Sequence, residues 1–205
     1  MDEYDEISDW YAANRRPEVG LQDVSALART LAPGSKILDL GCGNGIPISQ
    51  YLVRNGFELF GIDSSHKMLA GFRRNCPGAH CQCATLQNSD FFNTVFDAVV
   101  AWGVFLHLTL TEQEQAIAKV SRVLKPAGRF FFTAGNQEGT AESQMDGVGF
   151  HYVSLGAAKY RRVLRENGFD LLDEHRDSWD NHVYVAQRLP NRPLQPVSGA
   201  HARTT

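Results

Sequence analysis

The feature that most constrains the fold of this chain is a regular alternation of short, β-rich apolar runs with segments in which apolar residues recur at helical spacing. The alternation extends from about residue 36 to residue 135. Such a pattern is typical of repeated βαβ units, in which parallel strands form one sheet and helices cover its faces. Since the chain has only 205 residues, the pattern favours one domain over two.

Five strands can be placed along this alternation. The runs 36–40 and 58–62 are each followed by turn residues and a helical pattern, and 96–102 is apolar enough to lie inside a covered sheet. The run 79–84 has few β-branched residues and is placed as a strand by its position in the alternation, and 129–133 is the fifth strand. These assignments predict a parallel core sheet.

The helix between the fourth and fifth strands has its own local signals. Its buried stripe includes Ile117 and Val120, and Lys125-Pro126 ends it. Thr111-Glu-Gln-Glu114 matches a capping box, which predicts the start of the helix there.

The C-terminal third predicts how the sheet is completed. Residues 136–150 contain glycines and polar residues, so we expect a loop that lies on the surface or over a site. A helix over 157–167 is followed by apolar runs at 169–172 and 182–186, which favour an antiparallel pair. The predicted fold class is therefore α/β, with a Rossmann-like doubly wound, mostly parallel seven-stranded sheet, a C-terminal antiparallel hairpin, and helices on both faces.

The same reading divides the chain into one domain and a tail. Residues 1–189 form the domain, and 1–30 are its N-terminal helical cover. Residues 190–205 carry prolines and a glycine with almost no apolar periodicity, which predicts a disordered tail.

Composition excludes several function classes. A net charge of −3 lacks the basic excess that draws a chain to nucleic acid, so nucleic acid is not an expected partner. No run of eighteen apolar residues exists and the N-terminus is acidic, so we expect no membrane association and a cytoplasmic location. The four cysteines, with Cys81 and Cys83 only one residue apart, do not fit a disulfide framework, so we expect reduced thiols. Cys76, His80, Cys81 and Cys83 form a cluster in the sequence, but we expect no metal site there.

A glycine-rich turn follows the first strand, in the stretch Asp39-Leu-Gly-Cys-Gly-Asn-Gly45. Such a turn offers bare backbone N–H groups to a ligand. Asp63 ends the next strand about twenty residues later, where a carboxylate can accept both hydroxyls of a ribose. Together the two features predict a nucleotide-type pocket.

Spacing separates two cofactor classes for this pocket. A dinucleotide fingerprint requires a glycine at the place of Ile46. Asp39 would repel a pyrophosphate, whereas it favours an amino-bearing, methionine-type tail. S-adenosylmethionine therefore fits better than NAD.

These residues resemble the motifs of the class I S-adenosylmethionine-dependent methyltransferases. The segment 37–45 is similar to their first motif, 61–65 to their second strand, and 96–100 with Leu106-His107-Leu108 to their fourth strand and its exit loop. Leu124-Lys-Pro-Ala-Gly128 is similar to the sequence before their fifth strand. Tyr4-Asp5 and Tyr11 resemble the aromatic N-terminal cover of small-molecule members, so the likeness spans roughly residues 4–135.

The resemblance implies a cofactor, S-adenosylmethionine, with S-adenosylhomocysteine as its product, and a set of cofactor-binding residues. Asp39 is implied near the amino acid end, Asp63 at the ribose, and Thr85 with Leu86 at the adenine edge. Many relatives have an aspartate after the third strand that is missing around Cys83 to Thr85, so adenine recognition would rest on backbone groups. The implied residues are Tyr11, Asp39, Gly41, Cys42, Gly43, Asp63, Ser64, Thr85, Leu86, Ala101, Trp102 and Gly103.

Methyl transfer from a sulfonium needs positioning more than acid–base help, so a base is optional. His107 is the first candidate base because it follows the fourth strand at the carboxyl edge, and His151 is a second candidate; either could instead be purely structural. Trp102, His107, His151 and Tyr152 are the predicted substrate-binding residues.

The predicted function is transfer of a methyl group from S-adenosylmethionine to an O, N or S nucleophile of a small molecule, by a monomer or homodimer. Two alternatives stay open: a non-catalytic adenosylmethionine-binding or regulatory protein, since a pocket does not guarantee turnover, and an NAD-dependent oxidoreductase.

Overall fold

A computed structural model of the protein describes residues 3–190 as an α/β domain built on one large sheet and one hairpin. The strands are β1 Lys36–Leu40, β2 Glu58–Asp63, β3 His80–Cys83, β4 Phe96–Ala101, β5 Leu124–Thr133, β6 Glu138–Met145, β7 Val148–Leu155, β8 Phe169–Arg176 and β9 His182–Arg188. The helices are α1 Glu3–Glu6, α2 Ser8–Asn14, α3 Leu21–Ala28, α4 Ile48–Arg54, α5 His66–Asn75, α6 Leu110–Val123 and α7 Ala157–Glu166.

The seven-stranded sheet has the order β3-β2-β1-β4-β5-β9-β8, and β6 pairs with β7 separately. β1 pairs in parallel with both β2 and β4. The strand order therefore extends from β1 in both directions, to β2 and β3 on one side and to β4 and β5 on the other. β9 is antiparallel to both β5 and β8. The predicted mostly parallel seven-stranded sheet with an antiparallel C-terminal pair is therefore confirmed.

Apolar side chains of the central strands contribute to two hydrophobic cores, one on each face of the sheet. In β1, Ile37 belongs to the core beneath α3, α4 and α5, whereas Leu38 belongs to the core beneath α6 and α7. Neighbouring strand residues point to opposite faces, so a strand covered on both sides is apolar throughout. This burial on both faces explains why the apolar runs of β1 and β4 could be recognised as strands in the sequence.

Helix α6 begins two residues before the predicted position. The capping box is formed by Thr109, whose hydroxyl accepts from the Glu112 backbone N–H, and by the Glu112 carboxylate, which accepts from the Thr109 N–H. Thr109 has extended backbone angles, so the helix starts at Leu110. The predicted box at 111–114 was therefore wrong, because Thr109-Leu-Thr-Glu112 fits the same pattern and lies at the real boundary.

The expectation of a loop over 136–150 was also wrong. This segment forms β6, the turn at Asp146-Gly147 and the start of β7, with both turn residues at positive φ. Nearly all of β6 is exposed, so no apolar face selects its side chains and the alternation that marks a strand is missing. The Asp-Gly pair was the one available hairpin signal.

The predicted N-terminal cover, residues 1–30, has two parts in the described chain. Helices α1 and α2 carry Tyr4 and Tyr11 over the carboxyl edge of the sheet, whereas α3 buries Val24 and Leu27 in the core. The predicted tail lies outside the described residues apart from Pro190.

Candidate cofactor and acceptor site

A cavity of about 600 Å³ lies at the carboxyl ends of the central parallel strands. This is the edge at which open α/β sheets bind ligands, and the volume is in the range of ordinary small-molecule sites. Residues from the glycine turn, the end of β2, the loop after β3 and the exit of β4 form one end. Residues from α1, the short 3₁₀ turn Phe105–His107 and β7 form the other.

The backbone of the glycine turn has a conformation and surroundings that leave no room for a side chain at Gly41. Gly41 and Gly43 both have positive φ, at 67° and 53°. A Cβ on Gly41 would lie 2.7 Å from Cβ of Val104, so the turn needs glycine there both for conformation and for space. Both glycines line the cavity.

Asp63 is fixed at the end of β2 by two backbone donors. Its Oδ2 accepts from the Gly43 N–H at 2.8 Å, and its Oδ1 accepts from the Ser65 N–H at 2.9 Å. The carboxylate therefore joins the glycine turn to the start of α5 and faces the cavity together with Ser64. Its orientation is set before any ligand arrives, which suits a residue expected to hold a ribose.

Asp39 lies behind the glycine turn with only 3% of its surface exposed. The Ser49 hydroxyl donates to its Oδ2 at 2.5 Å. Burial raises the pKa of Asp39 to about 7, the nearby Asp63 charge adds to the effect, and Ser49 and Arg15 only partly offset it. A cationic ligand group beside this carboxyl would therefore be strongly favoured.

Two buried donors near Asp39 have no hydrogen-bond partner among the described residues. They are Nε of Arg15 and Nε1 of Trp102, and both side chains line the main cavity and a smaller adjoining one that includes Asp39. An unpaired buried donor costs free energy, so such groups usually meet a ligand or a water. Two donors beside one buried acid match a group that carries both a carboxylate and an ammonium.

The far side of the cofactor end is formed by the loop after β3. Thr85, Leu86 and Gln87 line the cavity there. Lys119 of α6 holds this loop, because its Nζ donates to the carbonyl oxygens of Leu86 at 2.7 Å, of Gln87 at 3.3 Å and of Ser89. The loop thus keeps its shape without an acidic side chain of its own.

An aromatic wall closes the opposite end of the cavity. The hydroxyl of Tyr4 and Nε2 of His107 share a hydrogen bond of 3.0 Å. The Tyr4 ring also packs against the rings of Tyr11 and Phe150, with centroids 5.5 and 5.2 Å away. His107 lies in addition against Tyr152, at 5.2 Å between ring centroids.

Helix α1 is anchored as a cover over this wall. Oδ1 of Asp5 accepts from the Ser65 hydroxyl at 2.5 Å and from the Lys67 N–H at 3.1 Å, at the beginning of α5. These hydrogen bonds hold the pKa of Asp5 below its usual range. A carboxylate at the start of a helix is also favoured by the helix dipole. The anchor places Tyr4 directly over His107.

Nearly all the predicted site residues are brought together around these two cavities. Tyr11, Gly41, Gly43, Asp63, Ser64, Thr85, Leu86, Trp102, Gly103, His107, His151 and Tyr152 line the main one, and Asp39 and Cys42 line the smaller one. Ala101 is the exception, because its side chain is fully buried in the core beneath α6. His151 is on the rim, with its side chain 57% exposed and 4.0 Å from the Glu142 carboxylate.

Several lining residues were not predicted as site residues. Tyr4 was noted only in the motif of the N-terminal cover, and Arg15 lies one helical turn after Tyr11 at the end of α2, where that spacing was the available signal. Glu3 and Glu112 had none, and Phe150 was included only as the last residue of the segment 136–150. They reach the cavity through α1, the start of α6 and β7, three elements that are far apart in sequence.

Comparison with known proteins agrees with this geometry. A family model described as a methyltransferase domain matches residues 37–128, the segment from β1 to the start of β5. This match supports the resemblance to the S-adenosylmethionine-dependent methyltransferases. None of the helices within residues 3–190 has the length and hydropathy needed to cross a bilayer.

Curated relatives of the chain share part of their length with it. An uncharacterised methyltransferase of Synechocystis is 37% identical over 101 residues, which are 49% of this chain and 47% of that protein. A sarcosine/dimethylglycine N-methyltransferase of Halorhodospira halochloris is 26% identical over 193 residues, 87% of this chain and 68% of that protein. The chain spans about half the length, or less, of most curated relatives it matches.

Solved structures share the fold. The S-adenosylmethionine-bound amino pentose methyltransferase CalS10 of Micromonospora echinaspora has a TM-score of 0.69 at 17% identity, over 92% of this chain and 97% of that one. An S-adenosylmethionine-dependent methyltransferase from Listeria monocytogenes has a TM-score of 0.68 at 16% identity, over 82% and 96%.

The residues present fit the cofactor of this family, S-adenosylmethionine. The unpartnered donors of Arg15 and Trp102 suit its carboxylate, and the buried carboxyl of Asp39 suits its ammonium group. Asp63 presents a preoriented carboxylate at the place where the ribose is expected.

Proposed function

We propose that this methyltransferase transfers a methyl group from S-adenosylmethionine to an O, N or S nucleophile of a small molecule. The observation that carries the proposal is the single cavity of about 600 Å³, with glycine turn and Asp63 at one end and the Tyr4–His107–Tyr152 wall at the other. One space that joins the expected cofactor residues to a candidate base is what in-line transfer between two bound molecules requires.

S-adenosylmethionine, when bound, supplies an electrophilic methyl group on a sulfonium. The chain's contribution at that end is orientation. Arg15 and Trp102 donate hydrogen bonds, Asp39 receives a positive charge, and Asp63 accepts from hydroxyl groups. Because Ser49 already holds the carboxyl of Asp39, and Gly43 and Ser65 hold that of Asp63, these two side chains lose little conformational freedom at binding.

At the acceptor end, His107 is the proposed proton acceptor. Its imidazole faces the cavity and shares a hydrogen bond with the Tyr4 hydroxyl. Burial raises the pKa of Tyr4 well above its usual range, so the phenol stays protonated and holds the imidazole in one orientation. Helices α1 and α2 and strand β7 exclude water from the reacting groups.

A small acceptor is favoured because cofactor and acceptor must share this one cavity. Two relatives with small substrates in their names support it: the sarcosine/dimethylglycine N-methyltransferase, and a ubiquinone biosynthesis O-methyltransferase of Methylococcus capsulatus, 30% identical over 115 residues. We propose no nucleic acid partner, on the net charge of −3, and a monomer or homodimer.

Calorimetry with S-adenosylmethionine, S-adenosylhomocysteine and NADH tests the cofactor. We expect binding of the first two and none of NADH. A screen of small acceptors with a labelled methyl donor then tests the activity. Binding without transfer to any acceptor would favour the non-catalytic alternative, and NADH binding alone would overturn the proposal.

His107→Ala tests the proton acceptor. Removal of a general base lowers rates by about 10²- to 10⁴-fold, and we expect a loss in that range in kcat with cofactor affinity unchanged. A variant with the parent's rate at every pH would reduce His107 to a structural residue.

A further inference from the structure

The acceptor end of the cavity has an unusual balance of charge. Two carboxylates line it, those of Glu3 on α1 and Glu112 on α6. Among the described residues that line the cavity, Arg15 is the single lysine or arginine, and it also lines the smaller cavity beside the glycine turn. Once Arg15 and Asp63 serve the cofactor, the charges that remain for the acceptor are negative.

Glu112 is held in place rather than free to swing away. One oxygen of its carboxylate, Oε2, accepts from the Thr109 N–H at 2.9 Å and from the Thr109 hydroxyl at 2.8 Å. Thr109 and Glu112 both line the cavity, two and five residues after His107. The negative charge is thus fixed beside the proposed proton acceptor.

Aromatic rings form the rest of this end. Tyr4, Phe150 and Tyr152 line it, and Tyr11 packs against Tyr4. The rings of Tyr4 and Tyr11 meet edge to face, and those of Tyr4 and Phe150 are tilted by 57°. Rings set at such angles present electron-rich faces in several directions, which is the arrangement that attracts an organic cation.

We propose that the acceptor is a small amine, and that the carboxylates of Glu3 and Glu112 with the aromatic rings stabilise the positive charge that its nitrogen acquires. The inference rests on the proposed methyl transfer and adds the chemical class of the acceptor.

The direction in which positive charge moves during methyl transfer favours an amine as the acceptor. When a neutral amine attacks, its lone pair forms a bond to the methyl carbon, the C–S bond breaks with its electron pair going to sulfur, and the positive charge moves from sulfur to nitrogen. Fixed negative charges and ring faces around that nitrogen therefore favour the transition state over the ground state.

His107 can accept the proton that an ammonium ion must lose before its nitrogen attacks. An amine that arrives as an ammonium ion loses one proton to the His107 imidazole before attack, and the alkylated nitrogen keeps the charge that the methyl group brought. Acceptors that react as anions fit poorly, because a phenolate or carboxylate would face Glu3 and Glu112 with no lysine or arginine among the described residues at this end.

The first test measures charge recognition without turnover. Choline and its neutral isostere 3,3-dimethyl-1-butanol are titrated by calorimetry into the enzyme saturated with S-adenosylhomocysteine. We expect choline to bind about tenfold tighter or more, as a desolvated cation among aromatic rings would. Equal affinities, tighter binding of the alcohol, or failure of choline to bind would overturn the inference.

The second test removes one charge without disturbing the fold. Glutamine also serves in a capping box, so Glu112→Gln keeps the start of α6 while it removes the carboxylate. We expect choline affinity to fall about fivefold and the affinity for the neutral isostere to stay unchanged. The matched control is Glu114→Gln on the same helix, whose partner is Lys159 at 3.0 Å and which is not a lining residue.

A screen of acceptors distinguishes a failure of the amine inference from a failure of the proposed function. Transfer to primary or secondary amines supports both the proposed function and the amine inference. Transfer to phenols, thiols or carboxylic acids with none to amines overturns only the inference. A protein that binds no S-adenosylmethionine overturns the proposed function and the amine inference with it, whereas failure of the inference alone leaves cofactor binding and methyl transfer intact.

Discussion

Single residues of the cofactor end act through contacts that are fixed before a ligand binds. Asp63 shows this best, since each of its two carboxylate oxygens accepts from a backbone N–H, one in the glycine turn and one at the start of α5. The sequence predicts Asp63 as a ligand residue from its place at the end of β2. Its contact with the glycine turn could not be predicted in the same way, because Gly43 is twenty residues away in sequence.

Replacing Asp63 by asparagine tests its role at the ribose. The amide cannot accept at both oxygen positions, and a hydrogen bond to a charged group is worth about 1.5–3 kcal/mol, so we expect S-adenosylmethionine to bind roughly 10- to 100-fold more weakly. Calorimetry measures the affinity. Asp9→Asn, an exposed position on α2, is the control, and an unchanged affinity in Asp63→Asn would remove the proposed role.

Asp39 predicts a pH dependence of stability. Its pKa rises on folding from the ordinary 3.8 to about 7, chiefly by burial, so between these values the folded state keeps a proton that the unfolded state has lost. Stability falls with rising pH wherever the folded state binds more protons, by up to about 1.4 kcal/mol per pH unit for one group.

Urea denaturation of the wild type and of Asp39→Asn at several pH values measures this effect. We expect the unfolding free energy of the wild type to fall relative to the variant by about 2–3 kcal/mol from pH 5 to pH 7 and to level off above pH 8. A constant difference across that range would contradict it.

At the scale of elements, a buried apolar run was the signal that identified a strand from its own residues, and the partly exposed β3 was placed only by its position in the alternation. β4 has five of its six residues buried, so its apolar run identified it, whereas β6 is exposed along nearly its whole length and carries no such run. The loop after β3 depends on an element thirty residues further on. Its carbonyl groups are held by Lys119 of α6.

Lys119→Met tests that connection. Removing the ammonium leaves the carbonyl groups of Leu86 and Ser89 without this donor, so we expect a loss of about 1–3 kcal/mol in the free energy of unfolding. Because the same loop lines the cavity, cofactor affinity is expected to fall about fivefold. Lys159→Met, which removes a surface ion pair with Glu114, is the control and should cost less than about 1 kcal/mol. Equal losses in both variants would argue against a specific role of Lys119.

At the scale of the whole molecule, the cavity is built from the N-terminal end of the described chain and from segments spread along it as far as β7. α1, the glycine turn, the exit of β4 and β7 all contribute to it. A ligand that fills it therefore ties together elements that are otherwise joined mainly through the sheet.

Ligand binding is expected to stabilise the domain accordingly. S-adenosylhomocysteine at a hundred times its Kd contributes about 2.7 kcal/mol, which corresponds to a rise in Tm of roughly 5–10 °C for a chain of this size. Thermal unfolding followed by circular dichroism measures the shift. NADH at the same concentration is the control, and a comparable shift with NADH would contradict the assigned cofactor class.

The sequence by itself determined the parallel sheet, the glycine turn and the carboxylate of Asp63. Each depends on residues close together in the chain: a buried run, a turn without side chains, and a strand end whose position relative to its neighbour follows from parallel pairing. Local sequence can therefore specify the cofactor end of the site.

Only the tertiary structure decided the acceptor end. Tyr4 meets His107 across 103 positions, Glu112 and Phe150 reach the same cavity from different elements, and Arg15 joins Trp102 beside the glycine turn. No local pattern encodes these neighbours, because each is brought there by packing of a whole helix or hairpin. The charge and shape offered to the acceptor come from that packing.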